Sequence, residues 1–328
     1  MKPTPTWNID DSTKLNCFQV CPRKYFYEYV LGWRIDRPSV HLVFGGAIHE
    51  ALDVLLTGLK NHKDITKPET LDASYEAFME HYRRYFDETY DSGNSPKDPY
   101  GALQLLTGWA AKHKHAEFEV LYVEVPGNVP VGDQEQSWQL YFKIDTIIKA
   151  KEGICCYEHK TTGQNSSAWR DSFALSLQVG TYLHVLYSLF PENEVYGALI
   201  DGLVIKKSGV EFETIPVRRT YEHMSVWDFQ VRSLLAAIDF NFQLLSESTP
   251  DTPAMGCFPL NTESCTKYGT CTYHSMCMSW PNPLKSIHRR PMNLGVEHWD
   301  PRGTVINPKQ YVDGTAMKMV EVQPKENT

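Results

Sequence analysis

Two carboxylates and a lysine lie in a stretch of the chain that is rich in β-branched and aromatic residues. Asp145 falls in one predicted strand, SWQLYFKIDTIIKA, and Glu158 and Lys160 lie two apart in the next, GICCYEHKTT. Side chains two apart in a strand point to the same face of a sheet. A turn at 151–153 would return the second strand antiparallel to the first, so we expect Asp145 to lie close to Glu158.

This predicted arrangement suits the hydrolysis of a phosphodiester bond. Paired carboxylate oxygens form a hard site of the kind that Mg²⁺ and Mn²⁺ prefer. A bound divalent ion activates water and acts as a Lewis acid on the phosphate, while Lys160 would orient that water or stabilise the developing charge. On this motif alone, a solvated strand face with a Glu–Lys ion pair is an open alternative.

Asp145 followed by Glu158-His159-Lys160 resembles the core motif of the PD-(D/E)XK nuclease superfamily. Flanking segments are similar to the branch that contains RecB-type nuclease domains and CRISPR-associated iron–sulfur exonucleases. These segments are CPRKY near the N-terminus, GGAIHEALD, QVGTY and a C-terminal cysteine cluster, and together they span about residues 12–280. The resemblance implies a restriction-endonuclease-like α/β fold with a mixed central sheet flanked by helices.

The resemblance also implies roles for individual residues. His49 in GGAIHEALD matches a histidine that binds metal, and Gln178 and Tyr182 match a Q-x-x-x-Y motif that contacts substrate. One or two Mg²⁺ or Mn²⁺ ions would be bound by His49, Asp145, Glu158 and the backbone carbonyl of His159, with Asp145, Glu158 and Lys160 as the catalytic residues. The sequence departs from the branch at Phe142-Lys143-Ile144, where Gly-Arg-Ile is common, which puts a substrate-binding arginine in doubt.

Three cysteines in ESCTKYGTCTYHSMC follow a C-x₅-C-x₅-C spacing whose short loops let three thiolates converge. Zinc and iron–sulfur clusters both accept four thiolates, and His274 lies inside the segment as a further zinc ligand. In the iron–sulfur relatives the cysteine of CPRKY joins three C-terminal ones, which implies a structural [4Fe–4S] cluster. Its ligands would be Cys21, Cys265, Cys271 and Cys277. Because those relatives commonly have C-x₂-C-x₅-C, Cys257 is an alternative to Cys265; iron–sulfur is favoured over zinc, and zinc over unligated thiols.

Composition sets limits on the class of protein. The 328 residues carry 32 Lys and Arg against 40 Asp and Glu, a net charge of −8, which excludes a globally basic nucleic-acid coat but not a local basic groove. No run approaches the roughly 20 apolar residues of a membrane span, and the N-terminus lacks the apolar region of a secretory signal. We therefore expect no membrane contact and a cytoplasmic location, in a bacterium or in the host of a phage that encodes the protein.

The remaining pattern predicts one nuclease domain over 1–280 with a helical insertion at about 60–118 and a metal-cluster staple over 257–277. An irregular C-terminal extension would follow over 281–328. Six residues are candidates for contact with nucleic acid. Four lie on or beside the later strands and could line a groove, namely Lys206, Lys207, Arg218 and Arg219, unless they form an ordinary solvated face. Trp169 and Arg170 follow the TTGQNSS loop and could contact a single-stranded end.

The function that this reading predicts is a metal-dependent DNA exonuclease acting on single-stranded ends in recombination, repair or DNA processing. The sequence has no GxxxxGK[ST] motif, so unwinding would need a helicase or a recombination protein as partner. Two alternatives remain at this point: a catalytically silent nucleic-acid-binding or scaffold subunit, and a nuclease acting on RNA.

Overall fold

A computed structural model of the chain describes residues 4, 6–36, 39–133, 135–267, 269–298 and 300, together with the backbone of 320–321. The chain divides into two compact units. The first comprises 1–36, 128–141 and 225–305, and the second comprises 37–127, 142–224 and 306–328. The predicted single domain over 1–280 stays a prediction, and most of the predicted extension beyond residue 300 lies outside the described residues.

The helices and strands follow the chain in this order. The N-terminal elements are β1 (Asp10–Asp11), α1 (Ser12–Val20), α2 (Pro22–Tyr25), a π-helical turn (Phe26–Val30) and β2 (Trp33–Ile35). Next come α3 (Val40–Lys60), α4 (Pro68–Tyr82), α5 (Asp91–Asn94), α6 (Pro99–His113), β3 (Glu119–Gly132), β4 (Ser137–Ala150) and β5 (Gly153–Thr162). The chain continues through α7 (Ser167–Asp171), α8 (Leu177–Leu189), β6 (Val195–Lys206), β7 (Gly209–Val217), α9 (Tyr221–Glu247), α10 (His274–Ser279), β8 (Leu294–Val296) and β9 (Val320–Glu321).

The main sheet is mixed, as the resemblance implies. Its strand order is β7-β6-β5-β4-β3-β9, with β1 pairing parallel to β4 beside this path. β5 is antiparallel to β4 and parallel to β6, and β7 is antiparallel to β6. The hairpin between β4 and β5 turns at Lys151–Glu152 and aligns Ala150 with Gly153, so the predicted antiparallel return is confirmed.

In the second unit, helices cover both faces of β5, which explains why its residues 154–159 are buried. Cys155 and Tyr157 join a core cluster with apolar residues of α3, α4 and α6. Glu158 and Lys160 point to the other face, and α8 packs on β5 and β6. By length and hydropathy α3 would also pass as a membrane span, but 56% of its apolar window is buried in this core, as expected for a core helix.

The sequence predicts that α3 starts after Gly45-Gly46, but the helix begins at Val40. Ser39 is the reason, because its hydroxyl oxygen accepts a hydrogen bond from the backbone of Leu42 and caps the helix. The two glycines allow close packing rather than a turn. A Cβ on Gly46 would lie 3.1 Å from His81 Nε2, tighter than most such contacts.

In the first unit, the irregular segment after α9 is held by the N-terminal helices. The backbone between α1 and α2 is extended at Cys21, immediately before Pro22, where the sequence predicts a helix break. Arg23 follows the break and uses its backbone N–H and its guanidinium to bind the carbonyls of Pro259 and Phe258. The ring of Phe258 stacks on Tyr25 at a centroid distance of 6.0 Å.

Candidate active site

Asp145 is held from two sides where β4 and β5 diverge. The backbone N–H of His159 donates to its Oδ2 at 3.0 Å, and His49 Nδ1 lies 3.2 Å from its Oδ1. His49 comes from α3, so the helix and both strands converge on one carboxylate. The side chain of Asp145 is 14% exposed, which leaves it open to a small ligand.

Glu158 is more deeply buried, with 2% of its side chain exposed. Its Oε1 accepts a hydrogen bond from Lys160 Nζ at 2.6 Å. Its Oε2 is buried and has no hydrogen-bond partner among the described residues. A buried carboxylate oxygen without a donor raises the free energy of the folded state, and a cation at this position would relieve that cost.

The two carboxyl groups have opposite pKa shifts. Burial and the neighbouring charge of Asp145 raise the pKa of Glu158 to about 7. Burial would also raise the pKa of Asp145, but the charge and hydrogen bond of His49, with the charge of Lys160, outweigh it and hold the pKa well below its usual range. Buried acidic oxygens beside an imidazole are a donor set that fits Mg²⁺ or Mn²⁺. His49, Asp145, Glu158 and the carbonyl of His159 would hold the ion.

This electrostatic arrangement predicts how the stability of the metal-free protein depends on pH. The folded protein binds the proton of Glu158 more tightly than the unfolded chain, because the pKa rises from 4.5 to about 7 on folding. Ionisation of Glu158 therefore destabilises the fold as pH rises from 4.5 towards 7, by up to roughly 3 kcal/mol. In EDTA we expect Glu158→Gln to gain stability over the native protein at pH 8 but not at pH 4.

Thermal unfolding at both pH values measures this difference. The control is Glu211→Gln, which removes an exposed carboxylate that pairs with Lys206. A stability gain that is equal at pH 4 and pH 8, or that Glu211→Gln reproduces, would contradict the burial of an ionised Glu158.

A directed chain of hydrogen bonds runs from Lys160 into α8. Lys160 Nζ donates to Gln178 Oε1 at 2.9 Å, and Gln178 Nε2 donates to the hydroxyl of Tyr182 at 2.8 Å. That hydroxyl donates to the carbonyl of Lys143 at 2.7 Å. Because an ammonium group can only donate, each later bond in the chain has a fixed direction. Gln178 and Tyr182 thus position Lys160, and their substrate contact stays a prediction.

Removing the hydroxyl of Tyr182 tests this positioning. In Tyr182→Phe we expect kcat for nucleic-acid cleavage to fall about tenfold with an unchanged KM, since Gln178 loses the bond that orients it. The matched control is Tyr82→Phe, because the Tyr82 hydroxyl also donates to a lysine carbonyl and accepts from an amide, that of Asn94. A rise in KM at constant kcat would instead indicate direct contact between Tyr182 and the substrate.

The structure adds Asp53 to the residues near the site, beside Glu124, which the resemblance suggests only weakly. Asp53 lies one helical turn after His49 on α3, and that i, i+4 spacing is the signal that would have found it. Burial and the charges of Glu124 and Asp145 raise the pKa of Asp53 well above its usual range. Lys143, at the position where the branch commonly has arginine, forms an ion pair with Glu124.

The six candidates for nucleic-acid contact are not among these charged residues of the site. Arg219 donates to the carbonyls of Ala174 and Ser176, and Arg218 lies 4.9 Å above the ring of Tyr196. Others bind acidic partners or pack on the sheet, namely Lys206 on Glu211, Arg170 on Glu213 and Trp169 against Gly202. These five side chains thus have partners within the protein, and the contact of all six candidates with nucleic acid stays a prediction.

The four predicted cluster cysteines all lie in the first unit, where their thiols influence one another's pKa values. Burial and the charges of Cys21 and Cys271 raise the pKa of Cys265. Burial raises the pKa of Cys277 to about 11, and the three other thiols add to the rise while Arg23 opposes it. The sulfur of Cys257 lies 3.7 Å from Ser248 Oγ, and no other cysteine is among the groups that shift the pKa of Cys257. The choice of Cys265 as the fourth ligand, with Cys257 as its alternative, stays a prediction.

The cysteine group fits a thiolate-bound centre by its chemistry. The backbone N–H of Asn261 donates to Cys21 Sγ at 3.5 Å, a bond of the kind that tunes cluster sulfurs. A bound metal cation would attract each thiolate and so outweigh their mutual repulsion. As the side chains stand, no group of three or more His, Cys, Asp or Glu in the described part of the chain has the geometry of an assembled metal site.

The sequence profile of the PD-(D/E)XK nuclease superfamily matches residues 12–278. The chain belongs to this superfamily. Its members generally use Mg²⁺ or Mn²⁺, and membership indicates a metal-dependent nuclease, a hydrolase whose substrate is nucleic acid. The match does not show that the chain belongs to the RecB-type branch of the superfamily.

Comparison with curated protein sequences gave no match. Among solved structures, the crystal structure of SSO0001 is similar to this chain, with 14% identity and a TM-score of 0.27. The alignment covers 60% of this chain and 94% of that one. With so low a TM-score, this likeness carries no argument about the site or the function.

Proposed function

We propose that the protein is a Mg²⁺- or Mn²⁺-dependent DNA exonuclease that hydrolyses phosphodiester bonds from single-stranded ends. The observation that carries this proposal is the half-buried Asp145 beside the buried Glu158, with the ammonium of Lys160 2.6 Å from Glu158 Oε1. A catalytically silent subunit would have no use for a buried carboxylate oxygen without a donor beside a second carboxylate.

Each residue of the site has a role in this proposal. The bound ion supplies an activated water and a Lewis acid for the phosphate. Asp145, Glu158 and the carbonyl of His159 would hold the ion together with His49, which also keeps the carboxylate of Asp145 in place. Lys160 is held between Glu158 and Gln178, where its remaining N–H donor orients the attacking water or stabilises charge on the phosphoryl oxygens.

The choice of DNA and of single-stranded ends rests on the resemblance to the RecB-type branch. The test is a substrate panel with Mg²⁺ or Mn²⁺ that includes linear single-stranded DNA, circular single-stranded DNA, duplex DNA and RNA of the same sequence. We expect degradation of the linear single strand, an intact circle and slow attack on the duplex. Cutting of the circle would show endonuclease action, and faster digestion of RNA would reassign the substrate.

We propose also that the first unit carries a structural [4Fe–4S] cluster on Cys21, Cys265, Cys271 and Cys277, with zinc as the alternative metal. What supports it is the grouping of these thiols and the N–H donated to Cys21 Sγ. The irregular segment that contains three of them has only short helices and turns, so a bound metal would contribute directly to its folding.

The biological setting follows from the same proposal. A nuclease that needs single-stranded ends and has no nucleotide-binding motif depends on a helicase or a recombination protein to expose them. Recombination, repair and other processing of DNA in the cytoplasm, including that of a phage-infected cell, provide such partners.

A further inference from the structure

A further carboxylate of the second unit, that of Asp201, is fully buried. It lies behind the proposed catalytic strand, β5. It belongs to β6, which runs parallel to β5, and it is the direct cross-strand partner of His159. Residues opposite one another on adjacent strands point to the same face of the sheet. Accordingly His159 Nδ1 lies 3.0 Å from Asp201 Oδ2, with 1% of the histidine side chain exposed.

The carboxylate of Asp201 is surrounded by groups that donate a hydrogen bond to it or carry a positive charge. Burial alone would raise its pKa, but the hydrogen bond and charge of His159 and the hydrogen bond from Trp109 lower it. Trp109 Nε1 donates to Oδ2 at 2.7 Å, and Lys112 Nζ lies 3.9 Å from Oδ1. Because the carboxylate can only accept, His159 carries its proton on Nδ1 and donates it to Asp201.

A buried charge in this strand needs a reason other than folding. The neighbours of Asp201 in β6, such as Ile200 and Leu203, are buried and apolar. Replacing both partners of a buried ion pair by apolar residues is often neutral or stabilising, so apolar residues at 159 and 201 together would serve the core as well. Retaining the charge makes sense if it holds His159 in one orientation.

His159 is the middle residue of the Glu-His-Lys motif. Its backbone N–H binds Asp145 Oδ2 at 3.0 Å, while the side chains of Glu158 and Lys160 project to the opposite face. Fixing the ring of His159 from behind therefore fixes the peptide groups on both sides of it. Those peptide groups determine the position of the His159 N–H relative to Asp145. They also determine the direction of the Glu158 carboxylate and the Lys160 ammonium.

We propose that Asp201 is a positioning residue, which acts through the imidazole of His159 to hold the main chain of β5 in the geometry that binds the catalytic metal. The inference rests on the proposed function. Asp201 touches neither metal nor substrate; it determines how well the site is organised before the metal arrives.

The test measures Mn²⁺ binding by electron paramagnetic resonance, without substrate, on the full-length protein and four variants. Asp201→Ala removes the acceptor of the hydrogen bond between His159 and Asp201, and His159→Phe removes its donor. The double variant removes both partners. Asp201→Asn keeps an oxygen that accepts from Nδ1. The control is Ser74→Ala, which removes another buried hydrogen bond, to the carbonyl of Ala51. Thermal unfolding without metal accompanies each measurement.

We expect Asp201→Ala and His159→Phe each to weaken Mn²⁺ binding by about 10-fold or more, the range of lost support for metal ligands. The double variant should lose no more than the singles, because both remove one interaction. Asp201→Asn should recover most of the affinity, and Ser74→Ala should lose thermal stability without losing affinity. If a single variant fails to fold, the double variant, which leaves no unpaired buried charge, still gives the comparison.

Three results would overturn the role of Asp201: unchanged Mn²⁺ affinity in the variants, additive losses in the double variant, or an equal loss in Ser74→Ala. Failure of the proposed function looks different. In that case the native protein itself neither binds Mn²⁺ nor cleaves any strand.

Discussion

Replacing Lys160 by alanine should reduce the rate of strand cleavage by about 10²- to 10⁴-fold, the range typical of a residue that assists proton transfer or stabilises transition-state charge. Binding of single-stranded DNA should persist, because the groups that would hold the metal are untouched. The ammonium group lies between Glu158 Oε1 and Gln178 Oε1, and alanine reaches neither. Single-turnover cleavage of a labelled oligonucleotide and a separate binding titration measure the two effects.

Stability has to be monitored in this experiment. Loss of Lys160 leaves Glu158 buried without its ion-pair partner, and breaking a buried pair costs about 3–5 kcal/mol. Saturating Mn²⁺ should restore much of that loss by neutralising the carboxylate. The matched control is Lys206→Ala, which removes a lysine that pairs with the exposed Glu211. A Lys160→Ala protein that is folded, binds metal and cleaves at the native rate would refute the assigned role.

The second large effect is expected at the cysteine group. Cys271→Ala should abolish bound iron and sulfide together with the visible colour of the anaerobically purified protein. Since a structural metal contributes several kcal/mol or more to folding, the midpoint of thermal unfolding should fall by roughly 10 °C. Metal analysis, visible absorption and thermal unfolding of the same sample measure the three changes.

Cys257→Ala is the control for this substitution. Its sulfur lies 3.7 Å from Ser248 Oγ, and no other cysteine is among the groups that shift its pKa, so the variant should keep both colour and metal. A colourless native protein that contains zinc would reverse the order of the two metals. A native protein without any bound metal, whose unfolding is unaffected by Cys271→Ala, would contradict a structural centre of either kind.

The sequence was sufficient for the parts of the fold that depend on local pattern. The hairpin of β4 and β5 is confirmed, because alternating apolar residues and a Lys-Glu-Gly turn determine both pairing and register. Membership of the PD-(D/E)XK superfamily and the mixed sheet are confirmed as well. The predicted start of α3 was wrong. Gly45 and Gly46 locally indicate a helix boundary, but in the structure they lie inside the helix and allow close packing against neighbouring side chains.

The supporting shell of the site could not be predicted in the same way. The role of Asp201 depends on which strand lies beside β5, and a parallel pairing between distant segments leaves no local pattern. An acidic residue within the apolar run ALIDGLVI was the only signal. Likewise, the choice between Cys257 and Cys265 depends on how the irregular segment packs against the N-terminal helices, which spacing alone does not encode.

The most direct test of the central claim is single-turnover digestion of a labelled, linear single-stranded oligonucleotide in Mn²⁺ by the native protein and by Glu158→Gln. Both proteins must first be shown to be folded by thermal unfolding. Rapid release of nucleotides by the native protein, absent in EDTA and absent in Glu158→Gln, is the predicted result. Digestion that persists in Glu158→Gln, or that needs no divalent cation, would contradict a catalytic site built on Asp145, Glu158 and Lys160.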